Sequence, residues 1–498
     1  MVDVKRLSSQ SSARRYAARR RGLILPVMLV ILLLLALMSA TFAFRIQAEN
    51  NATVAMQERV QCRLAAEAGI ERVKLMLRAE RDNPDMWYDN PVDFDQALMW
   101  SPDANLEEIG RGQTVNELDT DYAYRFSIVA DDPFDDEENI RFGITDEASK
   151  ININYASEAQ LLALISSSVP ADVEPIALVH ALLDWRDADD EPREFGAEKE
   201  YYQSLTTPYR CKNAPFETVE ELLMVKGFTG QILYGEDYDR NGLMTPNEDD
   251  GELSFPFDDG DGLLNRGLLP YLTVYSQEFN TANDNKPRIN VFRNGGADRA
   301  KLEETFDDDA LVDFIIDATR TEGIDKMSSL ADYLEPRMVH NALKPSPFQG
   351  NLAAKFFDKC TTTDEPQFFG RINVVTAPPK VLRCIDGLPE EAIPLIVQKR
   401  PSLSTAMKSS TAWLVTEKIL TVGQYAAIAD QITGRSRQFT VESIGFADHS
   451  GMYVRLQAVL AMRGPMAQVV YNRDLTRLGL SYPIRGEEGD RDIVRRTE

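Results

Sequence analysis

LILPVMLVILLLLALMSATFAF at residues 23–44 runs without a break into RIQAENNATVAMQERVQCRLAAEAGIERVKLMLRAE at 45–80. The first stretch is 22 residues without a charge. As a helix rising 1.5 Å per residue it spans roughly 33 Å, enough for a hydrocarbon core of about 30 Å. Pro26 falls in the first turn, where its missing N–H costs no intrahelical bond. The second stretch has no proline and a single glycine. Val54, Val60, Leu64, Ile70, Val73 and Leu77 give it an apolar face, and Glu58, Arg59, Arg63, Glu67, Glu71 and Lys74 a charged one. With no breaker at the junction, the two stretches predict one helix of nearly 60 residues. A globular domain seldom needs such a helix, whereas a fibre built of parallel helices does. Two other readings stand beside it. One is a single-pass stalk bearing a tethered domain. The other is a cleaved signal peptide, with Ser39-Ala40-Thr41 and Ala43 as its small-residue exit.

Upstream, residues 1–22 hold seven basic residues against Asp3, a local charge of +6, in a 498-residue chain whose formal charge is -25. A basic head before an acidic body is the asymmetry left by membrane insertion, since lysine and arginine stay cytoplasmic. The acidic body repels a phosphate backbone, which argues against nucleic-acid binding. Length predicts two or three domains. Cys62, Cys211, Cys360 and Cys384 are too few for a disulfide framework; one bridge or ordinary buried thiols both fit.

Arg19-Arg20-Arg21-Gly22, the apolar run and the amphipathic helix together resemble a class III prepilin signal. The resemblance implies cleavage by a prepilin peptidase between Gly22 and Leu23, with methylation of the new amino terminus. Mature position five is then Val27 and not the glutamate usual in pilins. A glutamate there neutralises a neighbouring subunit's amino terminus in hydrocarbon, where an unpaired charge is expensive. Its absence is the mark of the minor pseudopilin K family of the type II secretion system. TDEASKININYASEAQLLALI, LLDWRDADDEPREFGAEKEYYQ and PYRCKNAPFETVEELLMVKG, all within 145–235, are similar to that family in residue types, order and spacing. GLLPYLTVYS at 267–276 and RINV at 288–291 continue the likeness.

The expected fold is α/β and pilin-like, with a long N-terminal transmembrane and amphipathic helix and a large inserted α-helical domain. Its divisions are a cytoplasmic leader at 1–22, a transmembrane segment at 23–44, the amphipathic part of the helix at 45–80, a first pilin-like part at 81–155, a mainly helical insert at 156–432 and C-terminal strands at 433–498. Alternation predicts strands at Tyr122–Val129, Lys150–Asn154, Gln438–Val441, Met452–Met462 and Met466–Tyr471. Helices are expected at 157–168, 171–186, 216–225, 299–319, 328–334, 349–359, 389–398 and 419–431. Two stretches of the insert echo each other, ININYASEAQLLALI at 151–165 and RINVVTAPPKVLRCIDGLPEEAIPLI at 371–396, and Arg288–Val291 repeats the RINV. Residues 219–233 and 381–396 read as helix–glycine hairpin–helix units. Such hairpins bind DNA where lysine or arginine flanks the turn, but Asp386, Glu390 and Glu391 crowd the second one.

Asp237, Asp239, Asn241 and Glu248 occupy positions one, three, five and twelve of the loop pattern D-x-[DN]-x-[DN]-G-x5-E, with Gly242 at six. That spacing wraps hard oxygen donors around a calcium ion, adding the Leu243 carbonyl, Thr245 or its water, and a bidentate Glu248. A solvated acidic turn is the plainer reading. Asp184 and Asp187, one helical turn apart in an acidic run with Asp189, Asp190 and Glu191 and followed after a turn by Glu198, and Asp259 with Asp261 in DDGDG at 258–262, are further candidates. Any calcium is expected to be structural, holding together acidic loops that otherwise repel.

No Gly-x-Gly-x-x-Gly after a strand, Walker loop, Gly-x-Ser-x-Gly elbow or His-Glu-x-x-His occurs, and His180, His340 and His449 are far apart. The chain is expected not to be an enzyme. The resemblance implies a single-pass protein of the cell inner membrane with a large periplasmic body. It would join minor pseudopilins resembling the I, J and H subunits in a tip complex that caps and helps initiate the pseudopilus, and would contact the secretion channel or its substrates. A minor pilin of a type IV pilus or competence system, and a membrane-tethered calcium-dependent binding module, are the alternatives.

Overall fold

The computed structural model describes residues 24–100, 122–132, 140–170, 173–251, 253–258, 260–292, 296–322 and 327–482. The leader with Gly22, its neighbour Leu23, and Asp259 lie outside the described residues. Helix α1 covers Ile24–Glu80, so the apolar and amphipathic stretches form one helix, long and apolar enough to cross a membrane. The chain divides into two units, residues 1–61 and 62–498. In the first, the apolar side chains from Leu25 to Ile46 are exposed, and Arg45 pairs with Glu49 one turn on at 3.0 Å.

The second unit begins with the rest of α1. Its buried stripe is Cys62, Ala66, Ile70, Val73 and Leu77, spaced at helical intervals. The expected face holds only in part. Ile70, Val73 and Leu77 are buried, but Val54, Val60 and Leu64 are exposed, because the smaller Cys62 and Ala66 take the packed positions. That stripe covers an antiparallel sheet made of β1 (Ala97–Trp100), β2 (Tyr124–Asp131), β3 (Ile140–Arg141), β4 (Thr145–Asp146), β5 (Gln438–Ala447), β6 (Tyr453–Arg463) and β7 (Met466–Asp474). The order is β1-β2-β5-β6-β7, with β3 on β2 and β4 on β5. Central β5 meets β2 from Glu442↔Val129 to Ala447↔Tyr124 and β6 from Gln438↔Ala461 to Phe446↔Tyr453. Two glycines let helix and sheet touch. A Cβ on Gly69 would stand 2.9 Å from both Phe126 Cδ2 and Ile128 Cδ1, and one on Gly445 would overlap the carbonyl oxygen of Cys62. Phe126, Ile128, Phe439, Val441, Leu456 and Leu460 supply the sheet's side of this core.

Chain enters the sheet through β1–β4 and returns at β5, leaving a mainly helical insert between. The expected strand at Lys150–Asn154 is two residues long, Ile151–Asn152, and pairs in parallel with Leu272–Thr273 outside the main sheet. The same device recurs at Ile289–Asn290 against Cys360–Thr361 and at Ile372–Asn373 against Ile432–Thr433. The echo visible in the sequence is therefore threefold. In each copy the Asn Oδ1 accepts the amide two residues on: Asn154 N at 3.0 Å, Phe292 N at 2.9 Å and Val375 N at 3.0 Å. The residue after each strand donates to the partner threonine's carbonyl, Ile153 N to Thr273 O, Val291 N to Thr361 O and Val374 N to Thr433 O, at 2.9–3.0 Å. Each threonine Oγ1 in turn accepts the amide two residues later, Tyr275 N, Thr363 N or Arg435 N.

Short helices complete each copy. The first has α2 (Glu158–Ser166), opened by a Ser157–Gln160 capping box, and α3 (Pro175–Arg186), begun by proline. The helix expected at 299–319 is two, Arg299–Phe306 and Asp309–Glu322, broken where Asp307 turns left-handed. One continuous core joins the insert, from Ile151 to Ile432. Cys62, Cys360 and Cys384 are buried and all four cysteines are unbridged, which resolves the pairing question in favour of ordinary thiols.

Candidate metal centres

The loop after α3 folds back on a buried hub. Asp184 is wholly buried, and its carboxylate accepts Ala197 N at 2.8 Å, Arg193 N at 3.2 Å and Arg193 Nη1 at 2.6 Å. Gly196 is needed for this, since a Cβ there would overlap the Asp184 carboxylate. Asp184, expected as a ligand, thus has its oxygens taken by protein donors. The cluster that forms is Asp187, Asp189 and Glu198, one oxygen from each lying within 4.8 Å of the others. Sequence reasoning centred this candidate on Asp184 and Asp187, with Asp189 in the same acidic run and Glu198 after a turn, and the structure groups the last three. The available signal was the Asp-x-Asp spacing with Glu198 returning after the Pro192 and Gly196 turn.

This cluster carries a mark of incompleteness. Glu198 is 2% exposed, yet neither of its carboxylate oxygens has a hydrogen-bond partner, nor does Asp187 Oδ1. Asn213 Nδ2 donates to Asp189 O at 2.5 Å, and Asn213 Oδ1 is also buried and unbonded. Buried oxygens without protein donors are costly unless a cation or bound water sits among them. Burial first, then the charges of Asp184, Asp187 and Asp190, push the Glu198 carboxyl up to about 7, opposed by the neighbouring Cys211 thiol, which lies outside hydrogen-bonding geometry. An oxygen-only set of carboxylates and an amide suits a hard divalent ion such as calcium.

The loop at 237–248 is built differently. Asp237, Asn241 and Glu248 are buried, and oxygens of Asp237, Asp239 and Glu248 gather within 4.8 Å. Here each of the three carboxylates accepts a local amide. Asp237 accepts Asn241 N at 2.9 Å and Gly242 N at 3.2 Å, and Asp239 accepts Asn241 N at 3.0 Å. Asn241 Oδ1 accepts Leu243 N at 2.6 Å. Glu248 Oε2 accepts Thr245 N at 3.0 Å and Thr245 Oγ1 at 2.7 Å. Gly242 has φ of +72°, which supplies the turn. Burial and then Asp131 push Asp237 up to about 7, opposed by Arg266. The loop is moored outside itself at two carbonyls: Arg266 Nη2 donates to Gly242 O at 3.1 Å, and Arg455 Nη2 of β6 to Arg240 O at 2.9 Å. Arg266 pairs with Asp131 of β2, and Arg455 with Glu442 of β5.

Asp261 does not join this group. Its Oδ1 accepts Leu263 N at 2.8 Å, and neighbouring Asp258 accepts the amides of Asp250, Gly251 and Gly260. These are turn-forming bonds of an exposed acidic hairpin.

The first centre lies inside the stretch that matches known proteins. Residues 141–234 match a family model described as Type II secretion system (T2SS), protein K. A curated relative, the putative type II secretion system protein K of Escherichia coli (strain K12), is 29% identical over 111 residues, which span 20% of this chain and 34% of that relative. A solved structure, the GspK-GspI-GspJ complex from the enterotoxigenic Escherichia coli type 2 secretion system, aligns over 86% of this chain and 99% of its own, with 11% identity and a TM-score of 0.37. The matched residues are those whose order and spacing carried the resemblance, and over that stretch the chain is similar to protein K of the type II secretion system.

Proposed function

We infer that this chain is a membrane-anchored structural subunit that caps and helps initiate the pseudopilus of a type II secretion system, for export of folded proteins. The observation that carries the reading is the family match at 141–234 on a chain whose α1 runs from an apolar stretch into a sheet-packed end. A long helix with an antiparallel sheet on its last turns is a pilin-like layout. The bulk inserted between β4 and β5 suits a subunit above which no other is added. Residues 23–44 then sit in the inner membrane, the body lies in the periplasm, and a prepilin peptidase cuts between Gly22 and Leu23. Its partners are minor pseudopilins resembling I, J and H, with the secretion channel or its substrates reached by the acidic outer surface.

Calcium belongs to the same reading as a structural ion. Asp187, Asp189 and Glu198 form one site, supported by the unbonded buried oxygens of Glu198. Asp237, Asp239, Asn241, Leu243, Thr245 and Glu248 form a second, supported by the loop spacing and the gathered carboxylates. Amino-terminal sequencing with intact mass of the membrane-extracted protein tests the function. A start at N-methyl Leu23 and copurification with the other minor pseudopilins are expected. A start near Phe42–Arg45 with soluble release overturns it.

A further inference from the structure

An arginine-lined cavity lies where the second and third copies of the Asn–Thr device meet. It encloses about 90 Å³, and its wall includes Glu278, Arg288, Arg371, Arg435, Thr362 and Ser410. A single water needs only about 10–15 Å³ on this measure, so the space has room for several waters or for a small ion.

The charge around it does not balance. Glu278 is 4% exposed and stands among three guanidinium groups, 3.3 Å from Arg288, 3.8 Å from Arg435 and 4.0 Å from Arg371. Asp358, the other buried carboxylate, is bound to Arg435. Asp430 is close to Arg371, but its side chain is fully exposed and screened by water. Three cations therefore face two buried anions, inside a chain whose overall charge is -25. Burial and then Arg435 press the Arg288 guanidinium down to about 10. Burial alone would raise Glu278, yet Arg288, Arg435 and Arg371 hold it below its ordinary value. An uncompensated buried charge is strongly unfavourable, and a bound counter-ion removes that cost.

Donors are left over as well. Arg288 spends Nε on Asp358 O and Nη2 on Glu278, and its Nη1 bonds no described residue. Arg371 spends only Nε, on Asp430 O at 3.2 Å, while its plane stacks on Phe368 at 3.6 Å. The Thr362 hydroxyl bonds no described residue. Those of Ser410 and Thr363 each accept one backbone amide and keep their own protons to donate.

We propose that this cavity binds a small tetrahedral oxyanion, inorganic phosphate or sulfate, held by the unused nitrogens of Arg288 and Arg371 and the hydroxyls of Thr362, Thr363 and Ser410. Guanidinium forks and hydroxyls are the donors that such an anion takes, and a planar fork against a tetrahedral edge fixes its orientation. The ion would tie the second copy of the repeat to the third by a charge neither copy contains. The site is independent of the calcium readings and of the tip assignment.

Phosphorus-31 line broadening of inorganic phosphate tests it, on the full chain in detergent micelles, in calcium-free buffer with ionic strength fixed by chloride. Saturable binding at one site is expected, displaced by sulfate and not by acetate at equal concentration. Arg371→Gln should weaken it at least tenfold, Arg371→Lys less, and Thr362→Val about threefold. Near-ultraviolet circular dichroism checks that each variant is folded, and Thr362→Val carries the test should both Arg371 variants fail. Broadening that never saturates, equal affinity in the parent and the folded variants, or equal displacement by acetate would each overturn the proposal.

Discussion

The first and third copies of the repeat share a frame and differ in one loop. Arg186, at the end of α3, donates to Ile153 O and, at 2.7 Å, to Ala156 O. Arg400 does the same at Val374 O and Ala377 O, at 2.8 and 2.7 Å. Asn152 Nδ2 donates to Ser276 Oγ at 3.1 Å and Asn373 Nδ2 to Ser436 Oγ at 2.9 Å. Beyond the arginine the copies part. The first continues DADDEPREFGAE and gathers three carboxylates; the third continues PSLSTAMKSS, without an acid. Backbone architecture thus rests on a few polar side chains that satisfy buried carbonyls and amides. In the first copy the metal site proposed above sits on a loop that the frame merely holds.

The largest effect should come from breaking the frame. Arg400→Met leaves two buried carbonyls without donors, each costing about 1–3 kcal/mol, so urea unfolding of the full chain should show a loss of about 2–5 kcal/mol. Arg186→Met is expected to cost less, being partly exposed. Only Arg186→Met should also weaken calcium binding, since Asp187 follows it directly. Equal calcium affinity in the two variants would break the contrast between the copies.

Next in size is the loop itself. At calcium a hundredfold above its dissociation constant, a site contributes about 2.7 kcal/mol. Glu198→Gln should abolish that increment and lower the calcium stoichiometry by one. In calcium-free buffer at pH 8 the same variant should be as stable as the parent or more so, because it removes a buried charge among Asp184, Asp187 and Asp190. A plain packing defect would destabilise under both conditions. Asp237→Ala with Glu248→Ala should remove a second calcium and leave the first unchanged.

How much of this was legible depended on whether a signal was local. The joined apolar and amphipathic stretches fixed α1, and the twelve-residue loop announced itself by spacing. The packed stripe on α1 was misplaced because Cys62 and Ala66 score as weak apolar residues, yet Gly445 brings the sheet so near that only small side chains fit there. The two-residue Ile-Asn strands are too short for alternation to reveal. Their meaning lies in partners such as Thr273, Thr361 and Thr433, 60 to 121 residues away by the pairing registers. Spacing placed Glu198 after the acidic run but could not single it out, for the same reason. What marks it is the lack of a donor in a folded environment, which a linear pattern does not encode.

Smaller effects separate the three asparagines by what they bond. Asn373 also donates to Asp146 Oδ2 at 2.9 Å, a wholly buried carboxyl raised by its burial despite bonds from Ser436 and Thr376. Asn373→Ala should therefore cost most, about 2–3 kcal/mol, Asn152→Ala about 1–2, and Asn290→Ala about 1. Its only side-chain bond to a described residue is that to Phe292 N. Urea midpoints in that order support one frame with three loads; equal losses would argue against it.

The finest contrast is with pH. Glu198 has a folded value of about 7 against an ordinary 4.5, so the calcium-free folded state holds a proton that the unfolded chain has released. Its contribution is fully present below about pH 4.5 and is lost as pH rises to about 7, which makes the calcium-free protein less stable at pH 8 than at pH 5. Asp237 and Asp146 add slopes of the same sign, so the parent must be compared with Glu198→Gln, where only the first is removed. Calcium reverses the trend, because it binds the carboxylates and competes with their protons. With both Glu198 and Asp237 near 7, filling both sites at pH 7 should release roughly one proton in all, about half from each. Calorimetry in buffers of different ionisation enthalpy measures that number. A release that falls by half in Glu198→Gln assigns the rest to the second loop, whereas no change would mean that the first copy's acidic loop takes no calcium.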